Sequence, residues 1–336
     1  MQIGQYAKEC REGPDWRLIH GVPVGSIRKF QQLFRFDPKG DSRYHRSESN
    51  PPRKRRVSLM RRRRFLLTAS LGLNLAVVAS KPAAGQSDKP KEKVLPVKGR
   101  VFEVAGCEAF LIEPARTTAP GKKPWVWYAP TLKPYPGPEE KLMIERFLEA
   151  GIAIAGIDVG ESYGSPAGVA LFEKFHDIMV TKFGFDPRPA LLARSRGGLM
   201  LYNWASKHPD QVSCIAGIYP VCDPSSWPGI EKAAPAYGMS ADQLRSDLSK
   251  YRPVDNLAPL ARARVPILHI HGDADVVVPL SENSGKVASR YHALGGTMKL
   301  IVPPGQGHNM WKGFFECEEL IDFVIANVTA RPMKRS

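Results

Sequence analysis

Residues 152–158 read IAIAGID, a run of strand length with no polar side chain before its final aspartate. A strand with one face in water alternates apolar with polar residues; a strand covered on both faces does not. Further strands are read in PWVWYAP (124–130), PALLARS (189–195), VSCIAGIYP (212–220), VPILHIHG (265–272) and TMKLIVPP (297–304). Segments with helical spacing lie between and after them: EEKLMIERFLEAG (139–151), VALFEKFHDIMVTKFG (169–184), GGLMLYNWASKHP (197–209), SENSGKVASRYHALGG (281–296) and GFFECEELIDFVIANV (313–328). RVFEVAG and CEAFLIE (101–113) predict a hairpin ahead of this series. Buried strands alternating with helices predict a mostly parallel central sheet with helices on both faces, one α/β domain over 97–329.

The formal charge of +15 points first toward nucleic acid or an anionic surface. Its location removes that reading. Residues 1–85 hold 18 basic and 6 acidic side chains, against 30 and 27 in the rest. The domain itself is close to neutral, and no nucleic-acid partner is predicted. The basic excess has its own explanation in MRRRRFLLTASLGLNLAVVASKPAAG (60–85): four arginines, a moderately apolar run, then small residues before Gln86. That order is the layout of an export signal. RRRFLL (62–67) resembles the twin-arginine motif, so a periplasmic or secreted location is expected. The alternative is an uncleaved membrane anchor, although Phe65–Ser80 is shorter than a bilayer span and is diluted by Thr68 and Asn74. No stable span is expected once the signal is cut. Residues 1–59 show no sustained periodicity; they read as translation called upstream of a true start at Met60, or as a disordered basic arm. Residues 86–96 read as a linker and 330–336 as a basic tail. Beyond Cys10, the thiols Cys107, Cys214, Cys222 and Cys317 have neither a zinc spacing nor one that fixes a pairing, so free thiols and a disulfide both stay open. No metal or cofactor site is read from the sequence, and the oligomeric state is left open.

Within LLARSRGGLM (191–200), Ser195 stands where a buried strand passes at once into a helix, followed by Gly197 and Gly198. A sharp turn there lifts the hydroxyl above the carboxyl edge of the sheet, and the glycines let the helix pack close to the strand. The G-x-S-x-G pattern is met except that Ala193 replaces the first glycine. A helix N-cap serine before a glycine turn is the competing reading. HIHGDADVVVP (269–279) and PPGQGHNMW (303–311) each place polar residues in a loop at the carboxyl end of a strand, on that same edge.

With these three motifs in order, residues 97–329 resemble the α/β-hydrolase superfamily, in particular its prolyl-oligopeptidase-like and carbohydrate-esterase-like branches. The resemblance implies an α/β-hydrolase fold and a triad of Ser195 as nucleophile, Asp275 as acid and His308 as base. His271, Gly272, Asp275, Val278 and Pro279 match the H-G-x-x-D-x-x-V-P pattern of those branches. Asp273 reads as a turn former and His271 as a tie at the strand end. Serine needs a base to become a nucleophile, and the developing oxyanion needs donors. One donor is expected from the Arg196 backbone. The second is expected after WVWYAP, where Pro130 has no N–H, leaving Thr131 or Leu132.

Substrate choice is expected from inserts. Residues 221–264 exceed a simple connection and read as a small cap, with a helix start at Ser240 and Gln243 completing a capping box. Trp227 and Tyr237 are candidate stacking surfaces, with cap packing as the plainer role. GESYGSPAG (160–168) is a second rim, carrying Glu161 and Tyr163. Glucuronoyl esterases are similar in having Ser-Arg at the nucleophile. The Arg196 side chain is therefore read as an oxyanion or acid-group ligand, or else as a partner of Glu161; Arg194 is read as structural. The leading function is an exported serine hydrolase acting on a small-molecule or carbohydrate ester. The alternatives are a prolyl-oligopeptidase-like peptidase, weakened by the lack of room for a large N-terminal propeller, and a non-catalytic binding protein on the same fold.

Overall fold

The computed structural model describes residues 93–116, 121 and 123–329. The N-terminal arm, the export segment, Cys10, most of the linker and the basic tail lie outside the described residues. The hairpin is β1 (Arg100–Val104) and β2 (Cys107–Ile112). Next come β3 (Trp125–Ala129), α1 (Lys141–Glu149), β4 (Ala153–Ile157), α2 (Pro166–Thr181), β5 (Ala190–Arg194), α3 (Gly197–Ala205) and β6 (Cys214–Ile218). The cap follows as α4 (Ile230–Ala233), α5 (Ala241–Ser246), α6 (Leu248–Tyr251) and α7 (Ala258–Arg262). The chain ends with β7 (Ile267–Ile270), α8 (Ser284–Ala293), β8 (Met298–Ile301), α9 (Lys312–Phe315) and α10 (Glu318–Thr329).

The strands form one eight-stranded sheet in the order β1-β2-β4-β3-β5-β6-β7-β8. β1 and β2 pair antiparallel, as β2 does with β4; every other pairing is parallel. The unbroken apolar runs follow from cover on both faces. Along β3, Trp125 and Trp127 pack with Phe172 and Phe175 of α2 and Trp204 of α3. Val126 and Tyr128 face the other way, toward Phe147 of α1 and Leu320 and Val324 of α10.

The helix expected over 313–328 is two helices, broken between Phe315 and Glu318. Phe314, Phe315, Leu320, Ile321 and Val324 all join one apolar cluster. At ~100° per residue a single helix would turn Phe315 away from Leu320 and Val324, so the break lets both segments bury their apolar side chains. The cap helix α5 starts as expected: the Ser240 hydroxyl accepts from the Gln243 N–H at 3.2 Å, and the Gln243 side chain accepts from the Ser240 N–H at 2.8 Å. The four described cysteines are separate thiols. Cys214 is buried, and loss of solvent pushes its thiol up to about 12, which keeps it protonated and inert.

The junction of β5 and α3 is tightly packed. A Cβ on Gly197 would collide with the carbonyl of Ala129 at the end of β3, and one on Gly198 with the carbonyl of Val221. Gly197→Ala is therefore expected to cost about 1–3 kcal/mol from overpacking, read as a lowered Tm. An unchanged Tm would contradict this close approach.

Candidate active site

Ser195 follows β5 with φ 48°, the left-handed region that a side chain normally avoids. Three backbone bonds hold it there. Its N–H donates to the Ile218 carbonyl at 3.0 Å, and its carbonyl accepts from the Gly198 N–H at 3.0 Å and the Val221 N–H at 2.8 Å. Strain fixed in this way aims the hydroxyl out of the sheet edge. His308 lies in the loop after β8 and Asp275 in the loop after β7. His308 Nε2 is 2.9 Å from Ser195 Oγ, and His308 Nδ1 is 2.7 Å from Asp275 Oδ2. Because a carboxylate only accepts, Nδ1 carries the proton and Nε2 is free to accept the serine proton. The ring of Tyr219 lies 4.3 Å from that of His308, centroid to centroid, and backs it.

The buried Asp275 is surrounded by donors. Oδ1 accepts from the N–H groups of Val277 at 3.0 Å and Val278 at 2.8 Å. His271 Nε2 stands 3.3 Å from Oδ2. Burial alone would raise this carboxyl's pKa; the hydrogen bonds from His271, His308 and Val278 outweigh it and hold the pKa well below the usual carboxylate range. Asp273 Oδ1 instead accepts from the Gly305 N–H at 2.6 Å, bracing the acid loop against the histidine loop.

Behind Asp275 runs a chain of groups of which the sequence singles out His271 alone. His271 Nε2 faces only acceptors, Asp275 and the Val278 carbonyl at 2.8 Å, so it carries a proton. His271 Nδ1 then accepts from the Ser284 hydroxyl at 2.8 Å. That oxygen accepts from His269 Nδ1 at 2.9 Å, and His269 Nε2 accepts from the Tyr202 hydroxyl at 2.8 Å. Burial, then the neighbouring His271, lowers His269 to about 3, which keeps it neutral. The chain runs without a gap from Tyr202 to Asp275. The available signal was HIH (269–271) at the end of β7, two histidines spaced to share a face; Ser284 and Tyr202 gave none.

The other expected residues divide. Arg194 is buried and pairs with the equally buried Glu140, which also accepts from the Tyr128 hydroxyl at 2.8 Å. Its guanidinium lies over the rings of Tyr135 and Phe315. The Arg196 guanidinium pairs with Glu161 and lies 4.8 Å above the Trp227 ring. Tyr163 is 5% exposed and Tyr237 9%, and both sit in the apolar cluster under the cap. The Tyr237 hydroxyl donates to the Tyr163 carbonyl at 2.8 Å. Closing the cap core takes up most of both rings, in keeping with the cap packing expected as the plainer role of Tyr237. The backbone N–H groups of Arg196, Thr131 and Leu132 make no hydrogen bond within the described residues. A depression of about 450 Å³ lined by Leu142, Met310 and Phe315 takes in none of the triad residues, so the chemistry is placed by the triad and not by that hollow. Among the described residues no group of three or more His, Cys, Asp or Glu is arranged to hold a metal, and no helix is long and apolar enough to cross a membrane.

Residues 176–325 match the Peptidase_S9 family, the prolyl oligopeptidase family. The acylamino-acid-releasing enzyme of Arabidopsis thaliana is 24% identical over 150 residues, 42% of this chain and 20% of that protein. Among solved structures, an S-formylglutathione hydrolase from Agrobacterium tumefaciens superposes with a TM-score of 0.56 at 16% identity, over 69% of this chain and 94% of that one. A puromycin-hydrolyzing peptidase of Mycobacterium tuberculosis gives 0.55 at 16% identity, over 68% and 40%. The chain thus spans a fifth of its curated relative and two fifths of that peptidase. It has the α/β-hydrolase fold, and over residues 176–325 it matches the prolyl oligopeptidase family of serine hydrolases.

Proposed function

We propose that the protein hydrolyses carboxylic esters of carbohydrates or other small molecules through an acyl-enzyme on Ser195. The observation that carries this reading is the continuous chain Ser195–His308–Asp275, at 2.9 and 2.7 Å, on a strained turn at the carboxyl edge of the sheet. His308 Nε2 takes the serine proton as Oγ adds to the ester carbonyl, then delivers it to the leaving alcohol as the tetrahedral species collapses. Asp275 holds the tautomer and stabilises the imidazolium. The unpartnered N–H of Arg196, with one from Thr131 or Leu132, receives the oxyanion. Water then repeats the sequence, freeing the acid and restoring Ser195.

The rim favours an uncharged group next to the nucleophile. Arg196 is charge-paired with Glu161 and laid on Trp227, so these three side chains form a flat, nearly neutral wall. The competing reading, a peptidase, draws on the family match and the Arabidopsis relative. A panel of p-nitrophenyl esters, acetylated xylan, methyl glucuronate esters and aminoacyl-anilides, run with wild type and Ser195→Ala, separates the two. Turnover of anilides above all esters would overturn the ester reading.

If the Arg196 guanidinium serves as wall, Arg196→Ala should change kcat on a small neutral ester by less than about fivefold, the equivalent of ~1 kcal/mol for a part-exposed pair. A loss of about 10²-fold on every ester would instead give the side chain an oxyanion role. We also propose that the chain is exported to the periplasm or medium, on the strength of Arg62-Arg63 before the apolar run. Replacing both with lysine should leave precursor inside the cell, and unaltered export would refute the twin-arginine reading.

A further inference from the structure

Lys93 precedes β1, inside what the sequence reading treated as a linker, yet it is 6% exposed. Its ammonium donates to the Thr131 carbonyl at 2.7 Å. Glu108 of β2 stands 3.8 Å from the same nitrogen, and the charge of Asp158, just beyond β4, also acts on it. Loss of solvent lowers the ammonium's pKa, and these two carboxylates oppose that loss. A lysine buried at such a cost and aimed at one carbonyl of the loop after β3 asks for a reason.

Topology supplies one. β3 lies between β4 and β5, and the nucleophile follows β5. Lys93, Glu108 and Asp158 all belong to the β2–β4 side. The Thr131 side chain lies on that side too: its hydroxyl fills the space a Cβ on Gly156 of β4 would need, and it donates to the Tyr128 carbonyl at 3.2 Å. The Thr131–Leu132 peptide is trans, so its C=O and N–H point in opposite directions. A carbonyl held toward β4 sends the Leu132 N–H toward β5 and Ser195. That N–H is one of the donors without a partner.

We propose that Lys93 is a positioning residue for the oxyanion hole: by holding the Thr131 carbonyl it turns the Leu132 N–H toward the oxyanion formed at Ser195. The proposal rests on the serine-hydrolase reading above. Lys93 touches no reacting atom and acts through one peptide plane. Its effect should therefore fall on kcat and on transition-state mimics, and spare ground-state binding.

The test compares Lys93→Met, which keeps the stem and removes the donor, with Lys93→Arg, which keeps a donor. Rates on a p-nitrophenyl ester are normalised to sites titrated with a fluorophosphonate, so a partly unfolded sample does not imitate a slow enzyme. Lys93→Met should lower kcat about 10- to 100-fold, short of or equal to the loss of a whole donor, with KM changed less than about threefold. Affinity for a boronic acid should fall by the same factor as kcat. Lys93→Arg should recover most of both. A fall in Tm with kcat per titrated site unchanged would overturn the proposal, as would a kcat loss without weaker boronate binding. If wild type takes up no fluorophosphonate at Ser195, the hydrolase reading itself fails and this proposal falls with it; normal labelling in wild type keeps the two failures apart.

Discussion

Ser195→Ala is expected to lower kcat by about 10⁶-fold while leaving the fold intact. The whole proposed reaction passes through Oγ: it attacks, carries the acyl group and, among the described residues, is the group hydrogen-bonded to His308 Nε2, at 2.9 Å. The turn is held by backbone bonds from Ser195 N–H and to the Ser195 carbonyl, none of which needs the hydroxyl. Alanine should therefore keep the elbow, and an unchanged Tm should accompany the lost turnover. Steady-state hydrolysis of p-nitrophenyl acetate checks the rate. Retention of more than about a tenth of the activity would remove Ser195 as the nucleophile.

Asp275→Asn should lower kcat by about 10⁴-fold, the scale expected when a triad histidine is left in the wrong tautomer. Both carboxylate oxygens face donors: Oδ1 the N–H groups of Val277 and Val278, Oδ2 those of His308 and His271. An amide must turn its NH₂ toward one pair. The backbone N–H groups cannot move their protons, whereas a histidine can. The amide therefore faces His308, its proton shifts to Nε2, and the base is lost. Asp273→Asn should cost less than about tenfold, because an amide oxygen still accepts from the Gly305 N–H. The reverse ranking would transfer the acid role to Asp273.

The sheet was legible because parallel strands buried on both faces leave runs such as IAIAGID, with little that resembles them elsewhere in the chain. The three loops of the site were legible for a related reason: each follows such a run and carries a polar residue at its carboxyl end. The oxyanion loop was legible only in part. Pro130 excludes itself, but nothing local says which peptide turns inward. That depends on Lys93, a residue remote in sequence whose burial is a tertiary fact. Glu140 and Ser284 were missed for the same reason: each reads as an ordinary helix-start residue until packing brings Arg194 or two histidines against it. Tyr163 and Tyr237 pose the opposite ambiguity. A tyrosine in an insert looks like a binding surface, yet a small cap must build its own core, and these rings are part of it.

In the proposed reaction Ser195 carries the acyl group during turnover. Rapid mixing with a slowly deacylating p-nitrophenyl ester, acid quench and peptide mass analysis tests it most directly. One added acyl group per chain is expected, confined to the peptide containing Ser195 and absent from Ser195→Ala. Turnover with no acylated peptide, or with the acyl group on another residue, would contradict it.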